Sequence, residues 1–148
     1  MTFPLIVGLG SPHGDDQAGW LVIDWLHTLG ADVQSARKAV HPGDLWSWAE
    51  AGRALTVCDA GHANGQPGRV GRWTWPEDRL EGSRLGGTHD LPLADVLMLG
   101  RQTGCCPERV EIWTIEGVQF EPLGAVSPAV AEGARRVAET LWRGVDHA

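Results

Sequence analysis

Residues 3–16 read FPLIVGLGSPHGDD, and this stretch decides the fold. Its apolar start is a short run that ends at Gly8 and Gly10, a pattern typical of a strand buried in a parallel sheet. A helical stretch follows at once, because apolar residues recur at helical spacing over residues 17–29 and Gly30 comes after them. A buried strand, a glycine turn and a helix together predict the first unit of an α/β sheet.

The rest of the chain repeats this alternation of short apolar runs and helical patterns. Further strands are predicted at residues 32–36, 54–58, 70–75 and 110–115, and further helices at residues 42–51, 92–99 and 128–142. Such alternation predicts a three-layer α/β/α fold, in which a twisted, mostly parallel sheet of about five strands lies between helices. Because no linker, repeat or low-complexity tract interrupts the pattern, we expect residues 1–148 to form a single domain.

Composition and charge limit the classes of function that the chain could have. A chain of 148 residues with 43% hydrophobic and 21% charged residues has the balance of an ordinary globular protein. The formal net charge of −7 argues against nucleic-acid binding, which normally requires a basic surface. The sequence begins MTFPLIVGLG, whose apolar run is too short for a membrane span and lacks the basic region of a signal peptide. The three cysteines form no CxxC motif and are odd in number, so a reducing cytoplasm is expected.

Three loops carry the candidate chemistry, because loops at the carboxyl ends of parallel strands converge on one crevice. Asp15 and Asp16 follow the first predicted strand, Asp59 follows a central strand, and His89 lies just before a predicted helix. The glycines of the first loop superficially resemble a dinucleotide-binding motif. That motif requires glycine where this chain has His13, and the two aspartates would repel phosphates, so nucleotide binding is disfavoured.

Asp16 and Asp59 are of particular interest if they share this crevice. Two carboxylates about 5 Å apart repel by roughly 3 kcal/mol at an effective dielectric near 20, so the pair requires a shared proton or a cation. Adding His89 gives two oxygen ligands and one nitrogen ligand, which suit a divalent metal with an open coordination position. Structural roles remain open: Asp15 would serve equally well as a helix N-cap, a strand-end aspartate is often structural, and a single histidine is often only hydrogen-bonded.

Two other histidines, His13 and His41, lie near predicted strand ends and are secondary candidates for lining the crevice. The cysteines are weaker candidates. Cys58 falls inside a predicted buried strand and is expected to be inert, while Cys105 and Cys106 fall in a loop. No Ser-His-Asp or Cys-His arrangement for nucleophilic catalysis is apparent.

The ordered motifs of the chain resemble the hydrogenase maturation proteases, which are C-terminal endopeptidases of nickel hydrogenases. Residues 6–19, IVGLGSPHGDDQAG, are similar to the opening motif of that family, and Val57 to Ala60 to its strand ending in Asp-Ala. The remaining similar segments, in the family's order, are residues 66–70, 88–97, 107–110, 115–116 and 123–130. Each motif alone is weak, whereas the ordered set covers most of the chain and is fairly specific.

The resemblance implies a function and a set of site residues. The family's metal-contacting residues fall on Asp16, Asp59 and His89, which would then be both the catalytic and the metal-binding residues of an aspartyl-type endopeptidase. The metal implied is nickel, supplied by the hydrogenase large-subunit precursor rather than held as a resident cofactor. A cytoplasmic monomer that binds this precursor, and neither nucleic acid nor membrane, is expected.

The chain also departs from the family pattern. Ser11 stands where the family usually has Asn, Gln17 replaces a common Gly, and Gly117 lies where many members have Pro. The loop before Asp15 is also one residue shorter than is typical, and residues 38–43 lack the family's Asp-Gly-Gly-Thr run. Two alternatives therefore stay open: a relative that binds the precursor without cleaving it, and a metallohydrolase with its own resident divalent metal.

Overall fold

A computed structural model describes residues 3–62, 66–78 and 92–145. It contains one five-stranded sheet with the strand order β2-β1-β3-β5-β4. Strands β1, β2, β3 and β5 are parallel, and β4 pairs with β5 in the antiparallel direction at one edge. The strands are β1 (Leu5–Leu9), β2 (Ala36–Ala39), β3 (Leu55–His62), β4 (Val70–Trp75) and β5 (Val110–Gly117).

Helices cover both faces of the sheet. They are α1 (Ala18–Leu29), α2 (Leu45–Trp48), α3 (Leu93–Gln102) and α4 (Pro128–Arg143), and short 3-10 turns precede α1 at Gly14–Gln17 and α2 at Pro42–Asp44. Apolar side chains of α1 and α4 pack on one face of the sheet, and those of α2 and α3 pack on the other. The prediction of a three-layer α/β/α fold with a mostly parallel five-stranded sheet is therefore confirmed. None of the helices within the described ranges combines the length and apolar character required to cross a bilayer.

The order of the strands places a topological switch point between β1 and β3. From β1 the chain crosses through α1 to β2 on one side, and the next strand, β3, then pairs with β1 on its other side. At such a reversal the loops at the carboxyl ends of the two central strands diverge, which is where open α/β sheets usually bind ligands.

Two glycines bring α1 unusually close to the sheet at this point. A Cβ atom on Gly8 would lie 2.1 Å from the carbonyl oxygen of Gly19, and one on Gly19 would lie 2.2 Å from that of Leu9 and 2.6 Å from that of Cys58. Since Cβ atoms do not approach backbone this closely, glycine at both positions is what allows the first turn of α1 to cross over β1 and β3. The aspartates that precede this helix are thereby held at the carboxyl edge of the sheet.

The structure corrects three element boundaries. The predicted strand at residues 32–36 is instead β2 at Ala36–Ala39, because Asp32 begins a turn in which it accepts hydrogen bonds from Gln34 and Ser35. The predicted helix at residues 42–51 is reduced to a 3-10 turn and the single turn of α2. The central strand does not end before Asp59, because pairing with β5 continues as far as His62.

Candidate functional site

Asp16 lies in the 3-10 turn between β1 and α1 and is 5% exposed. The hydroxyl of Ser11 donates a hydrogen bond to Oδ2 of this carboxylate. The backbone N–H of Ser11 also donates to the carbonyl oxygen of Asp16 at 3.3 Å, which closes the loop on itself. Within the described residues no group donates to Oδ1 of Asp16, although this atom is buried. A buried acceptor in this state costs free energy unless a donor or a cation reaches it.

Asp59 lies within β3 and is completely buried. Its side chain continues the alternation of Leu55 and Val57, so it belongs to the face of the sheet that α2 and α3 cover. Oδ1 accepts a hydrogen bond of 2.8 Å from the backbone N–H of Ala60. Asp59 is therefore an ionisable group on a largely apolar face, where its neighbour on β5 is the buried polar residue Thr114.

The two carboxylates influence each other. Burial raises the pKa of Asp59 well above its ordinary value, and the negative charge of Asp16 raises it further, against a smaller opposing effect of the Ala60 hydrogen bond. The 3-10 turn that bears Asp16 packs against β3, which bears Asp59, and neighbouring carboxylates are expected to affect each other in this way. A cation between them would offset both the burial and the repulsion.

Asp15, the neighbour of Asp16 in sequence, is also completely buried but has a full set of hydrogen bonds. Its carboxylate accepts four of them, from the backbone N–H groups of Val118, Gln119 and Ser127 and from the hydroxyl of Ser127, at 2.7–3.1 Å. Burial acts to raise the pKa of Asp15, but these hydrogen bonds outweigh it and the pKa is lowered. Asp15 is thus a structural acceptor for the loop between β5 and α4, and it does not cap its own helix.

The loop that bears both aspartates is joined to residues 118–127 by further contacts. The backbone N–H of Asp15 donates to the carbonyl oxygen of Gln119 at 2.7 Å, and that of Gly14 donates to the carbonyl oxygen of Gly124 at 3.2 Å. Nδ1 of His13 accepts from the backbone N–H of Leu123 at 3.0 Å. His13 therefore binds this loop through Nδ1, so the suggestion that it lines the crevice gains no support.

Gly117 accounts for one departure from the family pattern. A Cβ atom at this position would lie 2.7 Å from the Cβ of Asp15. The absence of a side chain at Gly117 therefore allows the end of β5 to lie against Asp15, which leaves no space for a larger residue.

The remaining predicted ligand, His89, lies outside the described residues, as does His147. His41 is exposed and begins the 3-10 turn before α2, where its backbone N–H faces Asp44 at 3.4 Å. His27 lies on α1, and its Nε2 contacts the carbonyl oxygen of Ala36 at 2.8 Å. Among the residues that the structure describes, no three His, Cys, Asp or Glu side chains form a group able to hold a metal ion.

Cys58 matches the expectation of an inert side chain, and Cys106 shares its raised pKa. Cys58 is buried in β3, and burial raises the pKa of its thiol far above the ordinary value. Cys106 packs against Gly100 of α3, and burial together with the neighbouring Cys105 raises its pKa to about 11. Thiols with raised pKa values are poor nucleophiles near neutral pH.

Two features of the site are absent from the sequence prediction. The sequence identified Ser11 only as a replacement for the family's Asn, whereas in the structure its hydroxyl donates a hydrogen bond to Asp16. The role of residues 118–127 in holding Asp15 was also missed, because these partners lie more than 100 residues away along the chain. The Ser-Pro step at residues 127–128 is the one local signal, since it marks the start of α4.

Comparisons with known proteins agree with this architecture. No protein-family model and no curated protein sequence matches the chain. Among solved structures, the NiFe hydrogenase maturation protease HycI from Thermococcus kodakarensis superposes with a TM-score of 0.70 at 23% identity, over 96% of this chain and 91% of that one. HybD from the same organism gives a TM-score of 0.73 at 19% identity, over 96% and 98% of the two chains.

The hydrogenase maturating endopeptidase HybD from E. coli gives a TM-score of 0.70 at 20% identity, over 96% of this chain and 93% of that one. At these identities the similarity is one of fold, and it extends over nearly the whole length of both chains. The resemblance read from the ordered motifs is therefore confirmed at the level of structure: this chain has the fold of the hydrogenase maturation endopeptidases.

Proposed function

We propose that this protein is an endopeptidase that removes the C-terminal extension of a nickel-loaded hydrogenase large-subunit precursor, acting as a cytoplasmic monomer. The observation that carries the proposal is a pair of buried, electrostatically coupled carboxylates, Asp16 and Asp59, at the switch point of a chain with this fold. In this proposal the nickel belongs to the substrate, and the carboxylates recognise it there.

The charges at the site favour binding of a cation that the precursor brings with it. Oδ1 of Asp16 is a buried acceptor to which no described residue donates, so it has capacity for a ligand. Two carboxylates in a low-dielectric crevice repel each other, and a divalent cation between them would remove that cost. The described residues supply only two ligands for nickel. The ion would therefore be held firmly only when the precursor supplies the other ligands. The pair would therefore distinguish loaded from unloaded precursor.

His89 is proposed as the third contact. The helix that follows it, α3, packs through Leu93 and Val96 on the same face of the sheet as Val57, two residues before Asp59. His89 therefore precedes, in sequence, a helix that covers the face of the sheet to which Asp59 belongs. An imidazole nitrogen with two carboxylate oxygens is a suitable ligand set for Ni²⁺.

Two routes to peptide hydrolysis fit these residues. In one, the docked nickel polarises the carbonyl of the scissile peptide; in the other, a carboxylate takes a proton from the attacking water. The second route requires the carboxylate in its ionised form, so the cleavage rate should rise with pH through the pKa of that group. The first route carries no such requirement for a free base.

Mass spectrometry of a large-subunit precursor from the same organism, incubated with the protein, tests the proposal. We expect loss of a C-terminal peptide from nickel-loaded precursor only, and none with Asp16→Asn or His89→Ala. Asp24→Asn is a matched control, because Asp24 is a half-exposed carboxylate on α1 that pairs with Lys38 on the surface.

The other outcomes identify the alternatives. Unchanged mass with nickel-dependent co-purification would indicate a non-cleaving checkpoint. Nickel-independent hydrolysis, together with a divalent metal found by elemental analysis of the purified protein, would indicate a resident-metal hydrolase. Normal trimming by Asp16→Asn would show that the ligand assignment is wrong.

A further inference from the structure

Asp15 has no place in the proposed ligand set, yet it is among the most completely bonded side chains that the structure describes. Its carboxylate is buried and accepts four hydrogen bonds, and every donor lies in residues 118–127. Two nearby residues are also bound to that segment. The backbone N–H of Gly14 donates to the carbonyl oxygen of Gly124 at 3.2 Å, and the side-chain Nε2 of Gln17 donates to the same oxygen at 3.1 Å. Asp15 is therefore the central anchor between two distant loops.

This anchor lies next to Asp16 and fixes its backbone. Asp15 and Asp16 share a 3-10 turn of four residues, Gly14–Gln17, in which a rotation at one residue moves its neighbour. Asp16 itself receives a side-chain hydrogen bond from Ser11 alone among the described residues. One such contact does not set both the position and the orientation of a carboxylate, so the backbone must supply further constraint. The backbone of Asp16 is bound to Ser11 and His13 on the side of β1, and Asp15 holds the turn on the side of residues 118–127.

We infer that Asp15, together with Ser127, is a positioning residue that aims the carboxylate of Asp16 at the metal of the precursor. The inference rests on the proposed function and assigns Asp15 no contact with the substrate. Outer groups that orient metal-binding side chains typically contribute 10–100-fold to affinity or activity. They do so because a shift of even 1 Å at the reacting atoms is costly.

Cleavage kinetics of nickel-loaded precursor, measured well below the unfolding temperature of every variant, test this role. Asp15→Asn is expected to lower kcat about 10–100-fold, while KM stays within about threefold because the docking surface is unchanged. Ser127→Ala, which removes one of the four donors, should lower kcat less, and Ser127→Thr should restore it because the hydroxyl is kept. The two Ser127 variants keep the test decisive if Asp15→Asn does not fold.

A stability control separates positioning from simple destabilisation. Val137→Ala removes buried apolar volume from α4, far along the helix from Ser127, and lowers the unfolding temperature without touching this anchor. We expect its kcat to equal that of the wild type. The inference is overturned if Asp15→Asn and Ser127→Ala behave like Val137→Ala, or if their loss lies in KM alone. Absence of nickel-dependent cleavage by the wild type would instead overturn the proposed function, and this inference with it.

Discussion

Gly8 of β1 and Gly19 of α1 are in direct backbone contact, with space for a Cβ atom at neither position. The contact places the first turn of α1 across β1 and β3, and the aspartate loop lies immediately before that turn. The packing of these two glycines therefore determines where Asp16 can lie relative to Asp59.

We expect Gly19→Ala to unfold the protein at a lower temperature and to abolish cleavage. The added methyl group would meet the carbonyl oxygens of Leu9 and Cys58, so the helix has to move away from the sheet. Overpacking of this kind costs about 1–3 kcal/mol or more. Thermal unfolding followed by circular dichroism measures the change. Gly52→Ala is the control, since apart from its chain neighbours no described residue has an atom within 4 Å of a Cβ atom at that position. Equal unfolding temperatures for the two variants would contradict the prediction.

Asp59→Asn should make the protein more stable at neutral pH while removing its activity. The raised pKa means that the folded protein keeps a proton on Asp59 which the unfolded chain loses near the ordinary value of about 3.9. Stability from this group is therefore fully present below the ordinary pKa, and it is lost as the pH rises through the raised pKa. Asparagine carries no such charge and keeps an acceptor for the Ala60 N–H.

Urea unfolding of Asp59→Asn and wild type between pH 4 and pH 8 measures this difference. The advantage of the variant should grow with pH. An advantage that stays constant across the range would show that ionisation of Asp59 has no part in it. Asp24→Asn, on the surface, should show no comparable trend.

The opposite pH dependence is expected for Asp15→Asn. The lowered pKa of Asp15 means that its stabilising contribution is present above the ordinary pKa and is lost as the pH falls through the lowered value. Because hydrogen bonds to a buried carboxylate are replaced by poorer ones, the variant should lose about 2–3 kcal/mol at pH 7. The deficit should shrink in acid, which urea unfolding at pH 3 and pH 7 would show. An undiminished deficit at pH 3 would mean that the charge is unimportant.

Ser11 should be replaceable by asparagine but not by alanine. Its hydroxyl donates to Oδ2 of Asp16, and an asparagine amide is also a donor, whereas alanine has none. We expect Ser11→Ala to reduce the initial rate of precursor cleavage about 10–100-fold and Ser11→Asn to retain most of it. Equal rates for alanine and asparagine at this position would show that the hydrogen bond has no role in aiming Asp16.

Elements with a strong apolar signal were predicted well from the sequence, and those defined by tertiary contacts were not. The buried run of β1, the edge strand at residues 70–75 and the amphipathic α4 all lie where their patterns predicted. The strand β2 was misplaced because its sequence, Ala-Arg-Lys-Ala, has no apolar run. It is held instead by pairing with β1, while Arg37 and Lys38 lie over the rings of Trp48 and Trp20 at 5.0 and 5.8 Å.

The candidate site, too, could be predicted only in part. Asp16 and Asp59 could be paired from sequence because Asp16 follows β1 and Asp59 lies towards the carboxyl end of β3, and parallel strands end at the same edge of the sheet. The negative charge of Asp16 contributes to the raised pKa of Asp59, but the role of the pair in the site stays a prediction. Asp15 could not be assigned, because a local helix cap and an anchor for a distant loop require the same residue type. His89 stays a prediction.

The anchoring of Asp15 has a consequence for the order of events during synthesis. Its carboxylate is bound by Ser127, 112 residues later, and every described donor to it lies beyond residue 117. A nascent chain that has emerged only as far as β5 has the aspartate loop but not the groups that hold it. The aspartate loop is translated before residues 118–127, yet it can reach its final geometry only after that segment has left the ribosome.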